Sequence, residues 1–298
     1  MPGESVMSGR FNVVSWNVQR SPVSISTNDI NDIAANRRTT LIKEMMDTFS
    51  VVLLQEAPKP LWTAAVNGQL KDWYVDGRLD NQSPNNPCKT MLYCNEGASK
   101  LVRVPFTSGA KGAYRYPTSI QAELGNTGIS LLFVSLHATS GMNGLSNTYD
   151  AIDDIAEEYV EKSGIGNQSK QASIAGLVLG GDLNSYPKGA AFPNGPTNQG
   201  ATNNKAIDGF YVYSGAKNGL NVDLQVTKVE RYLNTGTREL LCVNDAPKVG
   251  GPQRPGFSEK YTGSNQSIWL HLSDHCPVYA QISVTVTRED DDEDMLSN

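Results

Sequence analysis

Short runs rich in apolar and β-branched residues recur along this chain and predict β-strands. These runs are residues 11–16, 50–54, 129–136 and 174–179, and each is followed by a polar residue or by glycine. The runs at 50–54 and 174–179 are typical of strands covered on both sides. Residues 278–286 alternate between apolar and polar positions instead, which predicts a strand with one exposed face.

Helical periodicities and weaker strand signals fill most of the remaining chain. Apolar residues at spacings of three and four predict a helix over residues 33–48. A second helix is predicted to turn one face inward, made of Tyr149, Ile152, Ile155, Ala156 and Tyr159. Residues 234–265 are predicted to be mostly irregular. Short strands are predicted over residues 89–93, 100–105, 118–124, 207–212 and 222–229.

The composition indicates one globular domain. The chain has 298 residues with 39% apolar content, and it shows no internal repeat or composition break. We expect a single domain over residues 11–287, between a flexible N-terminus (1–10) and an acidic, disordered tail (288–298). The acidic residues at 289–294 account for the whole formal net charge of −6, so the domain itself is neutral. Phosphate or nucleic-acid binding would therefore need a local basic patch.

The N-terminal residues and the cysteines indicate in which cellular compartment the chain is expected. The N-terminal residues are polar and lack an apolar segment, so we expect no secretory signal and a chain that is cytoplasmic as synthesised. No apolar run approaches the ~20 residues that span a membrane. The four cysteines lack a paired zinc spacing. Cys88 and Cys94 are candidates for a bridge in an oxidising compartment, but without a signal reduced thiols are the favoured expectation.

Polar side chains that can carry chemistry stand where the predicted strands end or begin. Because strand ends on one rim of a sheet are common places for a site, we expect these side chains to converge. The side-by-side pair Asp274 and His275 couples a carboxylate to a group that titrates near neutrality, which suits acid–base or metal-assisted chemistry. The full set is Asn17, Glu56, His137, Asp182, Asn184, Asp208, Asp274 and His275.

Six short motifs, in this order, resemble those of the endonuclease/exonuclease/phosphatase superfamily. The resemblance implies an α+β fold like that of deoxyribonuclease I: a four-layer α/β/β/α sandwich of two packed, mostly antiparallel sheets flanked by helices. The motifs are Ser15-Trp16-Asn17, Leu54-Gln55-Glu56, Ser135-Leu136-His137, Gly181-Asp182-Leu183-Asn184, Ile207-Asp208 and Ser273-Asp274-His275-Cys276-Pro277.

Within the superfamily the chain looks most like the catalytic B subunits of cytolethal distending toxins. Those subunits normally carry a secretory signal, which is not found here. The likeness implies delivery or binding subunits as partners, export by a non-classical route and DNA damage in a target-cell nucleus. It is carried by Trp16-Asn17-Val18-Gln19, Gln55-Glu56-Ala57, Tyr114-Arg115-Tyr116-Pro117 and His137-Ala138-Thr139-Ser140-Gly141.

The superfamily reaction is hydrolysis of a phosphate ester by water with a divalent metal. The resemblance makes Glu56 the metal ligand, with Asn17 and Asp274 completing or orienting the shell. Magnesium is the expected ion, with manganese or calcium as alternatives, because it prefers oxygen ligands and keeps several waters.

The remaining roles also follow from the resemblance. Asp182 would orient or deprotonate the attacking water, or protonate the leaving oxygen, and Asn184 would hold the phosphate. His275, oriented by Asp208, would stabilise negative charge in the transition state. His137 would be a second phosphate-contacting or acid–base histidine. Arg115 and Arg20 are the expected substrate-phosphate contacts, since a forked guanidinium suits a phosphate.

Three functional hypotheses remain open. The leading one is a magnesium-dependent endonuclease that acts on DNA. The second is a lipid or inositol-phosphate phosphatase acting on a phosphoinositide, which stays open because the neutral domain offers no broad basic face for a duplex. The third is a non-catalytic binding module that has kept the fold.

Overall fold

A computed structural model gives the architecture of the protein. It describes residues 5–19, 32–70, 72–75, 88–95, 102–103, 117–138, 152–153, 155–157, 160, 173–198, 206–233, 239–242, 256–262 and 267–288. The strands are β1 (Ser5–Asn17), β2 (Val51–Pro58), β3 (Trp73–Val75), β4 (Cys88–Cys94), β5 (Val102–Arg103), β6 (Thr118–Glu123), β7 (Ser130–His137), β8 (Ile174–Asp182), β9 (Asp208–Lys217), β10 (Leu220–Arg231), β11 (Leu240–Leu241), β12 (Phe257–Thr262), β13 (Ser267–Ser273) and β14 (Val278–Arg288). The helices are α1 (Ile33–Thr48) and α2 (Lys59–Val66).

One hydrogen-bonded ladder connects eleven strands in the order β3-β4-β2-β1-β14-β10-β9-β8-β7-β6-β5. It folds into two layers at β9, because residues 208–214 of that strand pair with β8 and residues 215–217 pair with β10. Strands β1 and β2 then face β7 and β8 across the interior. The β1–β2 and β7–β8 pairs are parallel, and the other pairs along the ladder are antiparallel.

The interior between the two layers is apolar. Phe11 and Phe133 meet edge to face there, with ring centroids 5.6 Å apart. Burial of such side chains stabilises a fold by roughly 1.5–3 kcal/mol each. Among the fully buried members of this core are Val13, Leu53, Ile120, Val178 and Phe210.

Helical segments cover the two outer faces. α1 is capped by the Asp32 carboxylate, which accepts from the Ala35 amide at 2.9 Å. It buries Leu41 and Met45 against the first layer. On the far side, the helical residues Ile152, Ile155 and Ala156 pack a buried apolar face against β7 and β8. The order of layers is therefore helix, sheet, sheet, helix, which confirms the predicted four-layer sandwich.

Several local predictions differ from the structure. The helix at 33–48 is confirmed, but α2 was not predicted, because Pro58 and Pro60 indicate a break. Proline is tolerated in the first turn of a helix, where its missing N–H has no partner to lose. Residues 234–265 were predicted to be irregular, which is wrong for β11 and β12, since these pair with β13 in a separate small sheet. β1 begins at Ser5, inside the segment assigned to the N-terminus.

The expectation of reduced thiols is wrong for Cys242 and Cys276 and confirmed for Cys94. Cys242 and Cys276 form a disulfide with their Cα atoms 5.7 Å apart, although they are 34 residues apart in sequence. Cys94 is a free, buried thiol and so is not bridged to Cys88, and burial raises its pKa to about 12. The fold, and not proximity in sequence, selects the pair. Among the described residues no helix is both long and apolar enough to cross a membrane.

Candidate active site

The predicted site residues converge on one rim of the sandwich. Asn17 ends β1, Glu56 lies near the end of β2, and His137 and Asp182 end the parallel pair β7 and β8. In the ladder His137 stands opposite Asp182, and Asp182 stands opposite Asp208 at the start of β9. Three neighbouring strands thus place two carboxylates and an imidazole in one row.

The backbone is unusual at the same rim. Gln19, Glu56 and Asn184 have φ angles of +52°, +50° and +48°, in the left-handed region that residues other than glycine seldom occupy. The β2–β4 register also shifts between Leu54 and Ala57, so a bulge turns the Glu56 side chain away from the regular alternation. Such conformations cost of order 1–3 kcal/mol and cluster where side-chain placement matters.

His275 and Asp208 form a buried pair. Nδ1 of His275 donates to Asp208 Oδ2 at 2.9 Å, with Oδ1 at 3.1 Å. Burial disfavours the imidazolium, but the neighbouring carboxylates of Asp208 and Asp182 outweigh it and raise the pKa of His275 to about 10. Burial also raises the pKa of Asp208, against the opposing pull of His275. At neutral pH the pair therefore holds a positive imidazole ring whose Nε2 faces the rim.

Asp182 is at the centre of the cluster. Its Oδ2 accepts a hydrogen bond from Asn17 Nδ2 at 3.1 Å, and it lies 3.5 Å from His137 Nε2 and 3.6 Å from His275 Nε2. Its Oδ1 accepts from the backbone N–H of Asn184 at 3.0 Å. One carboxylate oxygen thus lies within reach of both histidines, and the other is fixed by the backbone.

Asn17 is held by both ends of its amide. Its Oδ1 accepts the backbone N–H of Gln19 at 2.9 Å, so Nδ2 is the atom that donates to Asp182. Its carbonyl accepts from Ser273 Oγ at 2.7 Å, and that hydroxyl also accepts the N–H of His275 at 3.2 Å. Asn17 therefore ties β1 both to Asp182 and to the segment that carries His275.

The acidic side of the cluster fits a divalent cation. Asp274 Oδ1 is buried and has no hydrogen-bond partner among the described residues. Burial raises the pKa of Asp274, the charge of His275 opposes the shift, and the carboxylates of Glu56 and Asp182 add to it. A buried carboxylate oxygen without a hydrogen bond is the kind of ligand that magnesium prefers. Atoms of Asp182, Asp208 and His275 also lie within 4.8 Å of one another and form a possible metal group. In that group, however, Asp208 already serves His275.

Glu56 faces His137 across the rim. Its Oε1 lies 3.6 Å from His137 Nε2, and its side chain is mostly buried. The preceding residue, Gln55, accepts from Ser15 Oγ at 3.2 Å and donates to Ser135 Oγ at 3.0 Å. That chain of hydrogen bonds joins the two layers directly beneath Glu56 and His137, and so fixes their separation.

Two residues that contact the pair were not predicted. Thr197 Oγ1 accepts the backbone N–H groups of Ile207 and Asp208 at 3.0 and 3.1 Å. Asn198 is bridged to His275 through the backbone, and its amide contacts His275 Nε2. Both lie in a loop rich in asparagine, glycine and proline, where the sequence carries no signal that separates a contact from a turn.

Of the three expected phosphate-binding residues, the structure describes only Asn184. Asn184 is at the site, but its Nδ2 donates to the Ala138 carbonyl at 2.9 Å, so one amide hydrogen is engaged by the protein. Arg20 and Arg115 lie outside the described residues. Within the described part of the chain, His275 is therefore the side chain of the cluster that is held positively charged.

Comparison with known proteins identifies the fold. No family model and no curated protein matches the sequence. Among solved structures, a mannosyl-6-phosphatase from Bacteroides thetaiotaomicron is 13% identical with a TM-score of 0.52, over 91% of this chain and 99% of that one. An endonuclease/exonuclease/phosphatase from Bacteroides vulgatus is 13% identical with a TM-score of 0.51, over 92% and 98%. An endonuclease/exonuclease/phosphatase family protein from Bacteroides thetaiotaomicron is 12% identical with a TM-score of 0.50, over 93% of this chain and 98% of that one.

At these identities the similarity shows the fold alone. The chain has the fold of endonuclease/exonuclease/phosphatase proteins, as the sequence motifs predicted. The resemblance to the toxin B subunits stays a prediction.

Proposed function

We propose that this chain is a metal-dependent phosphodiesterase that hydrolyses DNA internally. The observation that carries the proposal is the placement of Asp182 Oδ2, 3.5 Å from His137 and 3.6 Å from His275, beside the acidic side chains of Glu56 and Asp274. A water, a phosphate and a cation all have suitable neighbours within one rim. The shared fold and the motif resemblance support the same reaction class.

His275 supplies positive charge to the phosphate. Because Asp208 and Asp182 raise the pKa of His275 to about 10, the ring keeps its proton at neutral pH. A buried, preoriented cation stabilises the charge that develops on the phosphoryl oxygens in the transition state. Asp208 acts through His275 and holds the ring with Nε2 toward the substrate.

Asp182 and His137 divide the proton transfers. Asp182 Oδ2 orients a water and accepts its proton as the new P–O bond forms. His137 donates a proton to the leaving oxygen as the old P–O bond breaks. The 3.5 Å separation between His137 Nε2 and Asp182 Oδ2 lets the proton return to the histidine, which restores the starting state.

Glu56 and Asp274 would hold the divalent cation. When bound, such an ion supplies Lewis-acid stabilisation of phosphoryl oxygen charge. It would also pair Asp274 Oδ1, which is otherwise a buried acceptor without a hydrogen bond among the described residues. Magnesium is the proposed ion, with manganese or calcium as alternatives, since the donors are oxygen atoms.

A phosphatase acting on a phosphoinositide or inositol phosphate is the second candidate. The same residues would act on a smaller substrate, and the domain is close to neutral apart from the acidic residues at 289–294. The structural similarity to a mannosyl-6-phosphatase favours this candidate, because that protein is named for a small sugar phosphate. Action as a genotoxin with delivery subunits belongs to the nuclease proposal and would require DNA as the substrate.

Parallel magnesium-dependent assays on supercoiled plasmid and on phosphoinositide test the proposal. Wild type is expected to nick the plasmid, and the rate should fall with added salt because phosphate contacts release counterions. His137→Ala should abolish nicking. The matched control is His271→Gln, since His271 lies in β13 and offers its backbone carbonyl to Arg38. Phosphate release without nicking would establish the phosphatase instead, and binding without turnover would indicate a non-catalytic module.

A further inference from the structure

An arginine at the end of β10 lies next to the segment that carries His275. Arg231 stands opposite Val278 in the antiparallel ladder of β10 and β14. The amide of the next residue, Tyr232, donates to the Pro277 carbonyl at 2.8 Å. Because Pro277 follows His275 by two residues, the end of β10 lies alongside the chain segment that positions the histidine.

The Arg231 side chain lies on the face of the first layer that also carries Asn17. Val278 stands opposite both Arg231 in β10 and Ser15 in β1, and residues directly opposite each other in an antiparallel ladder share a face. The three residues form one row across adjacent strands, so the Cα atoms of Arg231 and Ser15 are roughly 10 Å apart. Asn17 follows Ser15 by two residues on the same face, and it donates to Asp182 of the second layer. Arg231 therefore belongs to the face of the sheet that meets Asp182.

The guanidinium of Arg231 lies against Gly195, close to the residues that contact His275. A Cβ atom at Gly195 would lie 3.5, 3.6 and 3.7 Å from Cζ, Nη1 and Nη2 of the arginine. Asn198 follows Gly195 by three residues, and its amide contacts His275 Nε2. Three residues of chain span at most about 11 Å. The guanidinium therefore lies at the edge of the site, on the side of His275.

The charge of Arg231 is available to a ligand. Within the described part of the chain its partly buried side chain makes no hydrogen bond or ion pair. The neighbouring carboxylate of Glu230 points to the other face of the strand. There it accepts from Tyr279 Oη and pairs with Lys228 Nζ at 2.9 Å. A guanidinium keeps its proton in proteins, so Arg231 offers a permanent positive charge beside the catalytic rim.

We propose that Arg231 binds a backbone phosphate of DNA that flanks the phosphate being cleaved. This inference rests on the proposed nuclease function and adds a contact that a substrate with a single phosphate cannot make. His275 is placed at the scissile phosphate, and the guanidinium lies beside it at the same edge. Its forked N–H donors match two phosphate oxygens. Such a contact positions the strand without reading its bases, so it should act on binding and not on the chemical step.

The test compares two substrates with the holoenzyme in magnesium. One is a duplex oligonucleotide, and the other is bis(para-nitrophenyl) phosphate, a diester with a single phosphate. Arg231→Gln is expected to raise KM about tenfold on the oligonucleotide and to leave kcat within about twofold, because one charge-assisted contact is lost. On the single-phosphate diester the variant and wild type should agree. Arg288→Gln is the matched control, since Arg288 lies at the opposite end of the same ladder, and it should change neither substrate.

Binding of the oligonucleotide is measured in parallel by fluorescence anisotropy at several salt concentrations, with His137→Ala as the background so that the strand stays intact. Loss of one phosphate contact in Arg231→Gln should reduce the slope of log K against log salt by about 0.9, whereas Arg231→Lys keeps the charge and should keep the slope. An unchanged slope in Arg231→Gln, an equal rise in KM on both substrates, or none on either would overturn the phosphate contact. If wild type cleaves no DNA, the nuclease proposal fails. The salt slope then still decides whether Arg231 contacts a phosphate.

Discussion

Replacing Asp208 with asparagine removes a unit charge from His275 and keeps the shape of the side chain. In the wild type Asp208 Oδ2 lies 2.9 Å from His275 Nδ1. With an effective dielectric constant of about 20, charges at this separation interact by about 6 kcal/mol, which corresponds to roughly four pKa units. The pKa of His275 is about 10 in the wild type. Asp208→Asn should therefore lower the pKa of His275 well below its wild-type value, because burial then opposes the imidazolium with one carboxylate fewer to favour it.

Histidine ring NMR is the direct assay, because the chain has only three histidines. The Cε1–H shifts are followed from pH 5 to 10.5 without divalent cations, and His137→Ala and His271→Gln assign the signals. Asp274→Asn is the matched control. Its Oδ1 lies 3.8 Å from His275 Nε2, and Asp274 is the last of the charges that raise the pKa of His275. It should therefore lower that pKa by less than Asp208→Asn does.

The same shift predicts how stability depends on pH. The folded pKa of His275 lies above its unfolded value, so the pair contributes stability that is fully present below about pH 6.5. That contribution should be lost as the pH rises from about 6.5 towards 10. Urea unfolding across this range should show the slope in wild type and not in Asp208→Asn. A wild-type His275 that titrates near 6.5, or a change below one unit in the variant, would refute the electrostatic account.

Three further outcomes are expected. Gly181→Ala should lower the free energy of unfolding by about 2–4 kcal/mol in chemical denaturation, because a Cβ there would lie 1.7 Å from a β7 carbonyl oxygen. Gly9→Ala, whose Cβ meets its nearest neighbour at 3.9 Å, should change it little, and equal losses would contradict the packing argument. Cys242→Ser should cost about 3–4 kcal/mol, since the disulfide spans 34 residues, and a reductant that leaves the wild-type melting temperature unchanged would exclude this. Magnesium should raise the melting temperature of wild type and not of Glu56→Gln, and an equal rise in both would remove Glu56 from the metal site.

Local patterns predict the layers of this fold because each layer leaves its own signature. The run at 174–179 is apolar throughout, and it becomes β8, whose residues are all buried between a sheet and a helix. The alternation at 278–286 becomes β14, where buried and half-buried positions alternate. Helix α2 is not predicted from the sequence because it is short and its prolines suggest a break. Strands β11 and β12 are not predicted because they form by pairing with β13, and a local sequence pattern does not reveal that pairing.

The candidate site also contains residues that the sequence predicts and residues that it does not. Asp182, Asp208 and His275 stand at strand ends, so the motifs place them on one rim, and the structure brings them together. Asn198 reaches His275 from an irregular loop, and its contact depends on a bridge between residues 77 positions apart. Cys242 finds Cys276 for the same reason. Side chains that follow strands can be predicted from sequence, whereas partners delivered by loops depend on the finished fold.

Strand β9 pairs with β8 at one end and with β10 at the other. The catalytic pair should therefore assemble at the same time as the two sheet layers join. Asp208 begins the strand that bonds to β8 at one end and β10 at the other, while His275 leads into β14 of the opposite layer. Burial of the Asp208 carboxylate without the cation of His275 would be costly, so the two side chains should become buried together as the layers close. Because the partners are 67 residues apart, catalytic competence should appear late in folding and report its completion.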